Sequence, residues 1–454
     1  TDVFTHVKFM IKSNAITYII TLVFFLIIGF RFGGGGADLS AIAEIQNGNL
    51  EEAKINLELA LESDDSDTLY LLGNTLFQLG FLNETKQVYN HLIDIHPEDD
   101  ELKIYLAEIE IEDGHELDAL DLLHSIDSSS EMYPQSLLVQ ADYYHLNGLP
   151  EVSLQKLEEA EKILEDEPVI KFAIAEVHFT IADYQNAINK YNYLVEQGIE
   201  EVSGTLISAR LGSCYLMIGD YTKAIEFLED ALSYKDDPEV FYQLGVVHVQ
   251  KEDFIKAIEP LEQAIEHDPS LTGAHILLAD VYENQGELTK ALDQIENGIQ
   301  YNDMYVELYF KAAELAGKLD DFQKAEAHFK AALAIDPDND RTVVKYAEFL
   351  SVMEDYEAVI ELYEAASDTI RQLPESLWLL AKANNQVDEY DTARKYYEQA
   401  NLYLDDDTDF LKDYAFFLRE DGQRDKMKTV INQYLSLLPG EDFEMAPLLV
   451  DIDF

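Results

Sequence analysis

The 454-residue chain predicts an all-α solenoid, in which helix pairs stack in one dimension and each pair contacts its neighbours. Three observations predict it. The stretch 238–270, PEVFYQLGVVHVQKEDFIKAIEPLEQAIEHDPS, recurs at a 34-residue step, forward to Thr272, Val306, Asp340, Pro374 and Thr408. Backward, with small adjustments, it recurs at Thr205, Pro168, Pro134, Asp100, Ser66 and Gly34. Position 8 of every copy is Gly or Ala (Ala41, Gly73, Ala107, Ala141, Ala175, Gly212, Gly245, Ala279, Ala313, Ala347, Ala381, Ala415), where ordinary composition would supply roughly two. Position 20 is Ala at 53, 119, 187, 224, 257, 291, 325 and 393. Small residues at 8 and 20 let helices approach closely enough for larger side chains at 4, 7, 11 and 24 to interlock.

In the copy at Pro238, Phe241 is position 4, Leu244 and Gly245 are 7 and 8, and His248 is 11; Ala257 is 20, Leu261 is 24, Ala264 is 27 and Pro269 is 32. This resembles the tetratricopeptide repeat (TPR) pattern W-x2-L-G-x2-Y, A-x3-F, P. The resemblance covers about 34–441. It implies a TPR α-solenoid, a right-handed superhelix of about twelve helix-turn-helix repeats of the bacterial kind, and binding of a protein partner without catalysis.

Residues 1–36 stand outside the repeats. The stretch 16–32, ITYIITLVFFLIIGFRF, is apolar apart from Thr17, Thr21 and Arg31, and slightly short of the about 20 residues of a spanning helix. Two readings stand for it: a single transmembrane anchor, or a mis-set start that reads through into four glycines, 33–36. From 37 to 441 each copy predicts helix A at about positions 2–14 and helix B at about 17–29. Gly at position 15 (Gly48, Gly80, Gly114, Gly148, Gly219, Gly286, Gly422) ends helix A through a positive φ. Asp- and Pro-rich turns such as 96–100 and 336–340 supply N-caps and stops between copies. The copy at Pro168 is three residues longer, with Gly198 and Gly204 in its closing turn, read as a surface insertion rather than a hinge or divide. Pro260 falls inside helix B, where it removes a hydrogen bond and should bend the helix. Residues 442–454 keep register through Met445, Leu448 and Ile452, as a stub capping the last repeat.

The charge is −59, from 31 Lys and Arg against 90 Asp and Glu, nearly all of it in the array. Phosphate backbones are repelled, which excludes nucleic acid; basic partners are steered in, unless the acidity serves only solvation, as in a salty cytoplasm. The single Cys214, at position 10, excludes an internal disulfide and a cysteine-built zinc site, and reads as a buried thiol. No Walker, zincin or nucleophile-elbow motif occurs, and the eleven His are scattered, so no catalytic residue, metal ligand or cofactor is assigned.

The TPR resemblance implies that positions 2, 5, 9 and 12 of helix A face a concave groove. The 4 and 3 spacing of 5, 9 and 12 independently places them on one helix face. Position 5 carries an apolar ladder: Tyr70, Ile104, Leu138, Phe172, Tyr242, Ile276, Phe310 and Trp378. Position 9 carries an acidic one, Glu108, Asp142, Glu176, Asp280, Glu314 and Glu348, and Phe179 adds an aromatic at position 12. Together they suit a basic or amphipathic partner segment anchored by Phe172, Tyr242, Phe310 and Trp378. Position 5 also reads as a packing seam between repeats, with position 9 as its solvated rim. The Lys and Asn carboxylate clamp of chaperone-binding TPR domains is absent, since Tyr70 precedes Asn74 and Glu101 and Tyr105 follow. The resulting expectation is a cytoplasmic, non-enzymatic scaffold. The alternative is a TPR assembly factor for envelope or secreted proteins, associated with a membrane through 16–32.

Overall fold

The computed structural model describes residues 66–78 and 81–437. The anchor or mis-set start, the repeat beginning at Gly34 and the stub at 442–454 lie outside those residues.

Helix pairs follow one another at the expected register. Helix A starts at position 1 in most copies, among them Ser66–Gln78, Asp100–Glu112, Pro168–Thr180, Thr272–Asn284, Val306–Lys318, Pro374–Gln386 and Thr408–Glu420. Tyr133–Leu146 starts one residue early and Ile207–Met217 two residues late. Helix B starts at position 17 in every described copy, from Leu82–Ile95 to Arg424–Leu437. Asp183, Asp220, Asp321 and Asp355 cap helix B by accepting from the N–H three residues on, and Asp99, Asn339 and Asp407 cap helix A.

Between the two helices, position 15 takes a positive φ in each copy from Asp100 onward. Gly114, Gly148, Gly219, Gly286 and Gly422 do so at 72–80°, and Ala182, Glu252, Asp320, Glu354 and Asp388 at 59–63°. The geometry of the pair therefore imposes the left-handed turn even where the residue does not favour it.

The helices group into two compact units, Thr1–Val247 and His248–Phe454, divided within the helix Pro238–Gln250. Each has the same internal logic. In the first, Ala107, Ala175, Ala119, Ala187 and Ala224 are fully buried at positions 8 and 20, with Tyr89, Leu123, Tyr191 and Leu228 packed at position 24. In the second, Ala279, Ala313, Ala291, Ala325 and Ala393 take the small positions, and Leu261, Phe329, Tyr363 and Tyr397 the large one.

Four places depart from the repeat. The insertion folds as an antiparallel ribbon, Glu201–Val202 against Thr205–Leu206, the only strands among the described residues of an otherwise helical chain. Ser203 and Gly204 both take positive φ, the signature of a tight hairpin turn. Val202 is buried in one cluster with Phe172, Tyr191, Ile207 and Leu228, so the core continues across the insertion. Helix Glu116–His124 has nine residues where most B helices have fourteen, and its copy closes through a loop. Helix Tyr356–Ala365 is also short and is followed by the turn Asp368–Arg371. Pro260 is buried inside a helix that runs unbroken from Phe254 to His267.

Candidate functional site

Three members of the apolar ladder are in the core, and the anchor role expected of Phe172 and Phe310 does not hold. Ile104 and Phe172 are fully buried and Phe310 is 1% exposed. Phe172 packs on Tyr191 of its own helix B, with ring centroids 5.9 Å apart, and Phe310 meets Phe329 edge-on at 6.4 Å under the Arg341 guanidinium. The cause is close approach at positions 8 and 20, which draws position 5 into the seam between A and B. Tyr70, Leu138, Tyr242, Ile276 and Trp378 are half-buried at the same position. Tyr70 donates to Asp99, and the Trp378 indole N–H donates to Asp413 at 2.7 Å while its ring meets Phe410 edge-on. Phe179 is half-buried against Tyr184, with the Arg210 guanidinium over its ring.

At two places on the acidic ladder the next repeat supplies a base from position 6. In the second unit Asp280 meets Lys311 at 2.6 Å, and Lys311 also holds Glu283 at 2.7 Å. Burial opposes the charge on Lys311, but its bonds to these two carboxylates outweigh burial and hold its pKa above the ordinary value. Glu348 pairs within its own helix with Lys345, 2.7 Å away, and Glu314 is half-buried. In the first unit Arg210, at position 6, reaches back to Glu176 at 2.9 Å, and Tyr191 donates to the same carboxylate. Ser213 likewise donates to Gln243 at 2.7 Å.

Glu108 and Asp142 are followed at position 6 by Val139 and Ala173, which offer no charge. Burial, with Glu112 and Asp142 adding repulsion, pushes the Glu108 carboxyl up to about 8. Glu112 is raised as well, by burial and then by Asp113. On the same face His145 has its pKa lowered by burial, with Glu176 opposing, and its Nδ1 is buried without a hydrogen bond. The helix-A face of the copy at 100 therefore carries, at Glu108, a carboxyl that no base at position 6 of the next copy meets.

Sequence reasoning did not assign Arg210, Glu112 or Tyr191. A partial signal was present: position 6 of the following copy is a base after Glu176 and Asp280 and Val139 after Glu108, although Lys345 after Glu314 pairs with Glu348 instead. The thiol of Cys214 is buried and pushed up to about 12 by burial, with Glu176 adding to it and Arg210 opposing.

One cluster has metal-like composition. Glu110, Asp113 and His115 bring ligand atoms within 4.8 Å of one another. The Lys86 ammonium already lies among them, 2.5 Å from Glu110, 3.9 Å from Asp113 and 3.5 Å from His115 Nδ1. An internal cation thus fills the place of an external one. No helix among the described residues is long and apolar enough to cross a membrane.

Family models match along the array. YpiA-like tetratricopeptide repeats match 146–199, YpiA-like C-terminal tetratricopeptide repeats match 374–441, a general tetratricopeptide repeat matches 318–384, and anaphase-promoting complex subunit 3 matches 217–298. The TPR repeat-containing protein YpiA of Bacillus subtilis (strain 168) is 29% identical over 415 residues, covering 91% of this chain and 98% of the relative. Among solved structures, the C-terminal part of a TPR repeat-containing protein from Cytophaga hutchinsonii is 17% identical with a TM-score of 0.42, over 61% of this chain and 99% of that one. YrrB, described as a TPR protein with an unusual peptide-binding site, is 21% identical with a TM-score of 0.34, over 40% of this chain and 93% of its own. With the register of small residues, the helix pairs, the tetratricopeptide family models and the similarity to YpiA in hand, the chain is a tetratricopeptide-repeat protein.

Proposed function

We propose that this protein is a non-enzymatic scaffold that holds a partner segment bearing Lys or Arg against the helix-A face of the copies at 100, 134 and 168. The observation that carries this reading is Glu108, a half-buried carboxyl beside Glu112 and Asp142 whose pKa is raised and which meets no base at position 6 of the next repeat. A cationic side chain placed there supplies the missing counter-charge and stabilises the ionised form, an interaction available only in the complex. Half-buried Leu138 and Phe179 flank these groups and give the aliphatic part of such a side chain a surface to lie on. The chain's overall charge raises the encounter rate of basic partners.

The test is fluorescence anisotropy of a labelled peptide of alternating Lys and Leu with the full chain, beside its Glu and Leu counterpart. Glu108→Gln with Asp142→Asn should weaken the Lys peptide at least about tenfold, whereas Glu314→Gln in the second unit should leave it unchanged. Equal weakening by all three changes, with release following salt alone, would reduce the acidity to a diffuse field and sink the proposal.

A further inference from the structure

Ile104 and Phe172 of the apolar ladder are in the core, and in the first unit large apolar side chains stand open instead at the end of helix A. In the copies at 134, 168 and 205, positions 13, 14 and 16 carry Leu146 at 54% exposure, Leu149 at 46%, Ile181 at 37%, Met217 at 41% and Ile218 at 46%. Positive φ at Gly148, Ala182 and Gly219 ends each helix A there, and the chain leaves for helix B without covering them.

These residues form one strip. The copies at 134 and 168 share a core, as do those at 168 and 205, so equal positions of the three lie side by side. The strip is also bounded. Positions 13 and 14 are Glu112 and Asp113 in the copy before it, and Gln250 and Lys251 in the copy after it. Exposed apolar residues scattered singly are ordinary on a surface, whereas a contiguous run marks a surface that something covers.

Charge beside the strip says what covers it. Position 13 lies one helical turn beyond position 9, so Leu146 shares a face with Asp142 of the acidic ladder. Asp183 and Asp220 follow Ile181 and Ile218 by two residues, where they cap helix B. An apolar strip among acids fits apolar side chains set between cations.

We propose that this strip receives the Leu- or Met-sized side chains of the same partner segment whose lysines meet the acidic helix-A face. The partner is then amphipathic, and a segment that is basic alone binds weakly. This inference rests on the reading of the acidic face as a partner site and adds the apolar half of the interface.

The test is fluorescence anisotropy of two labelled peptides of equal length and charge, one alternating Lys and Leu, the other Lys and Ser. The full chain should bind the Lys and Leu peptide at least about tenfold more tightly. Leu146→Ser with Ile218→Ser, both at exposed positions, should abolish that preference and leave the Lys and Ser peptide unchanged. Val352→Ser, at position 13 of a copy in the second unit and 77% exposed, should alter neither. Equal affinity for the two peptides, or a preference that survives the paired Ser change, would overturn the inference even where Glu108→Gln weakens both. A preference lost with the Ser changes but indifferent to Glu108→Gln and Asp142→Asn would support the strip and sink the acidic-face reading. Absence of binding by both peptides would overturn the two together.

Discussion

The Arg210 guanidinium lies 2.9 Å from Glu176, one repeat upstream, on a carboxylate that also accepts from the Tyr191 hydroxyl. This contact makes Glu176 a structural ion pair, unlike Glu108, whose following copy offers Val139 at position 6. Removing one side strands the other, so Arg210→Met or Glu176→Leu alone should cost about 3–5 kcal/mol. The double variant should recover most of that loss, since an apolar pair leaves no buried charge. Urea unfolding of the four forms checks it; additive losses in the double variant would show that the two groups do not interact.

Glu108 makes stability depend on pH in the opposite sense from an ion-paired carboxylate. Its carboxyl stands at about 8 in the folded chain against an ordinary 4.5, so the folded state holds a proton that the unfolded state releases. The stability linked to that proton is fully present below about 4.5 and is lost as pH rises through about 8. Glu108→Gln should therefore match the wild type at acid pH and exceed it by an amount that grows as pH rises from about 4.5 to about 8. Urea midpoints of both forms across this window decide it, and a difference independent of pH would contradict it.

The turn at position 15 predicts a stabilising change. Ala182 sits at φ 62°, where an L side chain is strained, while Gly219 occupies the same place in the next copy at φ 80°. Ala182→Gly should stabilise by about 0.5–1 kcal/mol, the strain relieved outweighing the added freedom of the unfolded chain. Gly219→Ala should destabilise by about the same amount, read as opposite shifts in denaturant midpoint.

Position 8 accepts either Gly or Ala as a class, but not at every site. A Cβ on Gly212 would stand 2.6 Å from the Leu228 side chain and 3.2 Å from its backbone nitrogen. Helix Tyr221–Tyr234 would have to move, so Gly212→Ala should cost about 1–3 kcal/mol in thermal or urea unfolding, although Ala175 fills the corresponding place one copy earlier. Wild-type stability would show that the B helix yields freely there.

What the sequence determined by itself was the repeat and its register. A helix pair cannot bury its apolar face alone, so the same small and large positions must recur wherever another pair is stacked, and that recurrence is written along the chain. The start of helix B at Tyr184, Tyr221, Phe254 and Leu288 was legible for this reason, as was the burial of Ala119, Ala187 and Leu228. Tertiary structure decided which exposed-looking positions are interior. Phe172 and Phe310 look like anchors in the pattern, yet close approach at the small positions draws them into the seam with Tyr191 and Phe329. It also decided which acids are satisfied, because a base reaches Glu176 or Asp280 only by crossing from the next repeat, a contact that spacing within one repeat cannot express. The turn at Ala182 belongs to the same class, since it is imposed by how the two helices meet.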